Sequence, residues 1–156
     1  MKTASQWLAE YGESHQNPTN KLIHWWCVPA IFWSVALMLW SIPVPEWFPA
    51  GAGYNWAIMA LVLVMVFYVA TSLSLSVGML IFSVLVLMAT YAVDRYLPME
   101  PWVLGLIIFI VAWVLQFIGH KIEGKKPSFF KDMLFLLVGP AWLMGFIYKK
   151  LGIRFA

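Results

Sequence analysis

The sequence has 156 residues, 63% of them hydrophobic and only 11% charged, with a formal net charge of +3. A soluble domain carries roughly 25% charged residues, so the natural solvent of this chain is lipid, and a water-soluble enzyme domain or a nucleic-acid reader is excluded. No stretch is polar enough to separate two cores, and residues 1–156 are expected to form a single helical transmembrane domain. The one cysteine, Cys27, allows no internal disulfide.

Residues 1–20 are polar and lack the apolar core of a cleavable signal, so insertion is expected to begin at the first internal span. Within them, residues 3–14 place Trp7, Leu8 and Tyr11 at helical spacing with Glu10 and Glu13 opposite, which predicts a short amphipathic helix on the membrane surface. Asn17-Pro18-Thr19-Asn20 breaks that helix, and Thr19 or Asn20 is suited to cap the next. Residues 22–42 form an apolar run long enough for about 30 Å of hydrocarbon and read as the first span. Pro43, Pro45, Pro49, Gly51 and Gly53 then predict a rigid loop, with Trp47 and Phe48 at interfacial positions.

Residues 54–93 are nearly free of charge and too long for one crossing. They predict two helices with a tight reversal in residues 73–78, marked by Ser72, Ser74, Ser76 and Gly78. The serines read as packing and turn residues. A fourth span is expected from Pro101 to about Gly119, ending at His120. Lys121, Lys125, Lys126 and Lys131 follow as the densest basic cluster, which puts that loop and the amino terminus in the cytoplasm. Residues 134–148 are short for a crossing, contain Gly139-Pro140 and precede Lys149, Lys150 and Arg154. A re-entrant or interfacial hairpin is expected, with a tilted fifth span as the alternative. The fold class is thus an all-α membrane protein of four transmembrane helices, an N-terminal surface helix and a short C-terminal re-entrant or fifth hydrophobic segment.

This topology gathers all three histidines, His15, His24 and His120, at one membrane boundary, with Glu123 one helical turn beyond His120. Three imidazoles and a carboxylate suit a divalent ion, with iron, zinc or manganese all compatible by ligand type. Each histidine also follows a hydrogen-bonding residue by four positions: Tyr11, Asn20 and Gln116. That spacing suits support of a ligand through its second ring nitrogen. The bland reading stands beside it, in which interfacial histidines anchor helix ends, Asn20 caps a helix and Gln116 bonds a neighbour. Cys27 reads mainly as a small packed hydrophobe. Lys125 and Lys126 are topology signals that could also hold an acidic headgroup, and the tryptophans read as belt and lipid-facing residues.

The segment from Tyr11 through His15, Asn17, Asn20, His24 and Cys27 to Pro29, with Gln116-Phe-Ile-Gly119-His120-Lys-Ile-Glu123-Gly-Lys-Lys-Pro127, resembles the membrane 2-hydroxy-fatty-acid dioxygenases, whose fungal members act in phytosphingosine breakdown. The resemblance extends over nearly the whole chain. It implies an Fe(2+)-dependent enzyme that uses O2 to shorten a long-chain 2-hydroxy fatty acid by one carbon, with His15, His24 and His120 as metal ligands and catalytic residues. The implied setting is a lipid bilayer, either a bacterial inner membrane or the endoplasmic reticulum of a eukaryote, with the metal at the cytoplasmic face. Two other classes remain open at this point: a bis-histidine haem membrane protein, and a metal-free membrane scaffold or carrier.

Overall fold

The computed structural model describes residues 2–48, 55–125 and 129–155, with side chains described throughout except for residues 129–133. The loop positions Pro49, Gly51 and Gly53, together with Lys126, lie outside the described residues, as does the side chain of Lys131. Among the described residues six helices follow in order: α1 (Ala4–Glu13), α2 (Pro18–Trp40), α3 (Trp56–Thr71), α4 (Leu73–Tyr96), α5 (Pro101–Glu123) and α6 (Phe129–Leu151).

Local sequence explains each boundary. Thr3 and Gln6 form a reciprocal capping box at the start of α1. The next helix starts earlier than expected, because Asn17, and not Thr19 or Asn20, is its cap. The Asn17 side chain accepts from the backbone of Thr19 at 2.9 Å and Asn20 at 3.3 Å, and Pro18 fills the first helical position, where its missing N–H costs nothing. This correction matters for the site, since it releases the Asn20 side chain to point inward. Ser72 alone makes the expected reversal, ending α3 and capping α4 through Leu75 N–H. Gly124, at φ 77°, closes α5 in the left-handed conformation.

The closest-packed pair is α2 with α5. They run antiparallel: Asn20 meets Gly119 at one end, Ile31 packs with Ala112 in the middle, Leu37 meets Gly105 towards the other end, and there the Ser41 hydroxyl accepts from Trp102 N–H at 3.0 Å. A Cβ on Gly105 would lie 2.8 Å from the Ser34 carbonyl, so this glycine permits the backbone approach that defines the seam. The α3–α4 hairpin packs on the other side of α2, through Phe32, Ala36, Leu61 and Val86. The outward faces of α3, α4 and α5 are apolar, with Val62, Val66, Leu80, Ile81, Ile107 and Val111 exposed. Lipid satisfies such faces and water does not.

Residues 134–151 are one continuous helix rather than a hairpin. Pro140 cannot donate to the carbonyl four residues back, and the helix at this point is tied sideways: the Tyr68 hydroxyl donates to the Leu137 carbonyl at 2.7 Å. Among the described residues, four helices are long and apolar enough to cross a membrane, namely α2, α4, α5 and this segment of α6, whereas α3 is shorter. Contacts nevertheless keep the described part of α6 within one half of the bundle. Leu136 packs with Ile31 and Ala112 near mid-bundle. Further on, the Tyr148 hydroxyl donates to the Ser74 carbonyl, and Ser72 and Ser74 donate to the carbonyls of Phe155 and Arg154. The α6 helix therefore rises from the interior back to the end that carries the α3–α4 turn. It also receives α1, whose Tyr11 packs among Val28, Val138 and Trp142.

Candidate metal centre

His15 stands in the turn between α1 and α2, His24 on the second turn of α2, and His120 one turn before the end of α5. The antiparallel register of α2 and α5 brings the last two together, and the Asn17-Pro18 corner folds His15 onto them. All three are buried, at 2%, 1% and 6% exposure. Their ring centroids lie 4.2 to 5.2 Å apart, and one nitrogen from each falls within 4.8 Å of the other two. Among the described residues, this is the group of histidine, cysteine or acidic side chains that could hold a metal ion.

Hydrogen bonding fixes how two of the rings present themselves. His15 Nδ1 lies 2.6 Å from the Tyr11 carbonyl, and His24 Nδ1 lies 2.8 Å from the Asn20 carbonyl. A carbonyl only accepts, so each Nδ1 carries the proton and each Nε2 keeps its lone pair. The Tyr11 ring also stacks flat on His15, with centroids 4.1 Å apart and planes within 5°. Burial pushes His15 down from its ordinary 6.5 to about 4, so the imidazole is neutral at physiological pH and able to donate to a metal. His15 Nε2 and His120 Nδ1 are buried without a hydrogen-bond partner. Such orphans are rare in folded proteins and call for a missing partner. Two orphaned nitrogens beside a third neutral imidazole fit a divalent transition metal.

The three histidines border a cavity of ≈ 30 Å³, completed by Val28, Ile31, Trp113, Gln116 and Leu136 among others. An ion with a bound water or two fits this space. Gln116 lies in the wall but makes no bond to the unpartnered His120 Nδ1. Tyr11 and Asn20 each hold their histidine's Nδ1 through a backbone carbonyl, and the Tyr11 ring adds its stacking on His15.

Glu123, expected as a fourth ligand, stands outside the group. Its two oxygens accept from Gln16 N–H at 2.9 Å, Asn17 N–H at 2.8 Å and the Asn20 side-chain amide at 3.1 Å. The carboxylate thus clasps the end of α5 to the corner that carries His15. The Asn20 amide also donates to the Ser14 carbonyl at 3.2 Å. A Cβ on Gly119 would lie 2.4 Å from Asn20 Oδ1, so the residue beside His120 must be glycine for the clasp to close. Sequence reading missed both Gly119 and the Asn17 cap. The second was legible, since asparagine before proline is a strong helix-start signal. Cys27 packs with Ile31 and Ala112, away from the metal group. The Lys125 ammonium donates to the Glu13 carbonyl at the end of α1, where a cation complements the helix dipole.

An apolar helical bundle with a buried trio of imidazoles able to coordinate a metal ion has the features of a membrane protein with a metal site. The chain belongs to the Mpo1-like family, described as 2-hydroxy-palmitic acid dioxygenase Mpo1-like, whose model matches residues 1–151. It is 30% identical over 149 residues to the 2-hydroxy-palmitic acid dioxygenase MPO1 of Saccharomyces cerevisiae, an alignment covering 93% of this chain and 79% of that protein. No solved structure matches.

Proposed function

We propose that this protein is an Fe(2+)-dependent dioxygenase that carries out α-oxidation of long-chain 2-hydroxy fatty acids, giving a product one carbon shorter. The observation that carries the reading is the convergence of three buried imidazoles, with two unpartnered nitrogens, on one cavity, in a chain whose curated relative is named for this activity. His15, His24 and His120 would hold the iron and leave further coordination positions free. When bound, the iron supplies a chelation point for the substrate hydroxyl and carboxylate and a means of activating O2.

The chain's own residues do the rest. The Tyr11 and Asn20 carbonyls hold two rings in the tautomer that aims Nε2 at the cavity. Gln116 offers an amide to substrate oxygens from the cavity wall, while Val28, Ile31 and Trp113 exclude bulk water. Glu123 acts as a positioning residue, keeping the corner that bears His15 against α5. The lysines at this end, Lys121 and Lys125 among the described ones, support a metal site at the cytoplasmic face.

The test is anaerobic purification with metal analysis, followed by O2 uptake. Iron near one equivalent, and uptake with 2-hydroxypalmitic but not palmitic acid, are expected, because without the hydroxyl C2 is not held beside the metal. Absence of turnover of both long and short 2-hydroxy acids by iron-loaded protein would remove the assignment.

A further inference from the structure

The histidine cavity has an apolar neighbour. Leu136 lines both it and a second cavity of ≈ 90 Å³ at the α2–α3 seam. On α2 the two walls are consecutive, with Ile31 on the first and Phe32 on the second. Every residue lining the second cavity is apolar, and Ala36, Ala57 and Ala60 supply short side chains along its walls. The contrast with the α2–α5 seam is direct. There Gly105 lets backbone meet side chain with no space left over, whereas the α2–α3 seam stays open. Of the lining residues on α2, Leu39 is the one furthest from His24, and the rise of α2 from His24 to Leu39 is about 22 Å. A polar, metal-binding head and an apolar slot behind it, sharing one leucine wall, are complementary to an amphiphile with a small chelating head and one long chain.

We infer that the α2–α3 cavity receives the methyl-terminal part of the acyl chain of the molecule held at the histidines. The inference rests on the proposed dioxygenase reading and adds to it the element that measures chain length. The head lies at His15, His24 and His120, the chain passes Leu136, and its end lodges among Ala36, Ala57 and Ala60. Chains too short to reach past Leu136 forgo these contacts.

The experiment uses the full-length, iron-loaded protein in liposomes with a 2-hydroxy long-chain acid bearing a diazirine at its methyl end. Photolysis is expected to label residues lining the second cavity, such as Phe32, Leu39, Ala60 and Leu61. Filling the cavity by Ala60→Phe should abolish that labelling without lowering iron content. Leu39→Phe, from the facing helix, serves as the second variant should the first not fold. Both should also lower the kcat/KM ratio of long over short 2-hydroxy acids about tenfold or more, since each lost methylene contact weakens binding. Labelling on the outward residues Leu80, Ile107 or Val111, or labelling and chain-length ratio unchanged in the filled variants, would overturn the inference. The two readings separate cleanly. Cavity labelling without turnover would sink the dioxygenase reading and keep the acyl site, whereas turnover with labelling elsewhere would do the reverse.

Discussion

The α3–α4 hairpin and the α2–α5 pair are both antiparallel couples of apolar helices, and both bury polar side chains, yet they treat those side chains differently. On α4, Ser76 donates to the Leu73 carbonyl at 2.7 Å and Thr90 to the Val86 carbonyl at 2.8 Å. Each hydroxyl donates within its own helix, Thr90 also accepts from the Trp33 indole N–H of α2 at 3.2 Å, and neither is left without a partner. At the histidine end of α2 and α5, the polar groups reach across elements, and His15 Nε2, His120 Nδ1 and Asn20 Oδ1 are left without partners. Burial of polarity is therefore not the mark of function in this molecule. Burial with acceptor lone pairs left over is, because an unsatisfied group in a low-dielectric interior is costly and persists only where something else completes it.

The largest expected effect comes from breaking the unsatisfied set. His15→Ala, His24→Ala and His120→Ala should each insert in the membrane but lose iron and activity, a loss beyond the roughly 10- to 100-fold typical of changes behind a metal ligand. Iron analysis of purified variants checks this. Full occupancy in any one variant would strike that residue from the ligand set.

Next in size is Gly119→Val. The added carbon would meet Asn20 Oδ1, which cannot swing away because its own amide is held by Ser14 and Glu123. Overpacking of this kind costs about 1–3 kcal/mol, and here it should also displace the corner bearing His15. Lower iron affinity with a modest drop in unfolding midpoint is expected, whereas an unchanged affinity would show that the clasp does not position the site. Glu123→Ala should act in the same direction, weakening iron retention roughly 10- to 100-fold without abolishing it. Chelator competition against the parent protein measures both.

The resemblance of sequence to structure divides along the same line. Spans were legible because a run without charge has one stable environment, and the three histidines were legible because helix counting alone puts them at one boundary. What escaped was relational. Glu123 has the residue type and spacing of a ligand, yet two backbone N–H groups, exposed by the turn at Gln16 and Asn17, take its oxygens first. That competition exists only once α5 meets the α1–α2 corner. The course of α6 was hidden for a similar reason. Gly139-Pro140 signals a break, but Tyr68 bonds across at Leu137, and Gly139 provides the close approach to Tyr11 and Val28, so the pair serves packing and the helix continues.

A smaller effect should appear with pH in the metal-free protein. His15 titrates near 6.5 when unfolded and near 4 when buried. As pH falls below 6.5 the unfolded chain takes up the proton first, so the stability tied to the neutral buried ring is complete above that pH and is lost progressively towards pH 4. Denaturation midpoints of metal-free protein between pH 7 and pH 4 should fall for the parent and fall less for His15→Gln. Equal slopes would mean that the His15 ring is not buried in the metal-free state.

The smallest effect is expected where the comparison began. Ser76→Ala removes a hydroxyl that is 4% exposed, and a buried polar deletion at the histidine end would be severe. Here the only bond lost runs to the Leu73 carbonyl in the preceding turn of the same helix, and that carbonyl keeps its place in the helical ladder, so no group is stranded. The cost should be below about 1 kcal/mol in a detergent unfolding assay. Iron affinity should not change, because the turn of α4 that bears Ser76 is tied to α6, where Tyr148 bonds Ser74 and Gly78 rather than Ser76. A Ser76→Ala variant that lost iron would mean that the α3–α4 hairpin and the metal end are energetically coupled, and that the division between satisfied and unsatisfied polarity does not mark where the chemistry lies.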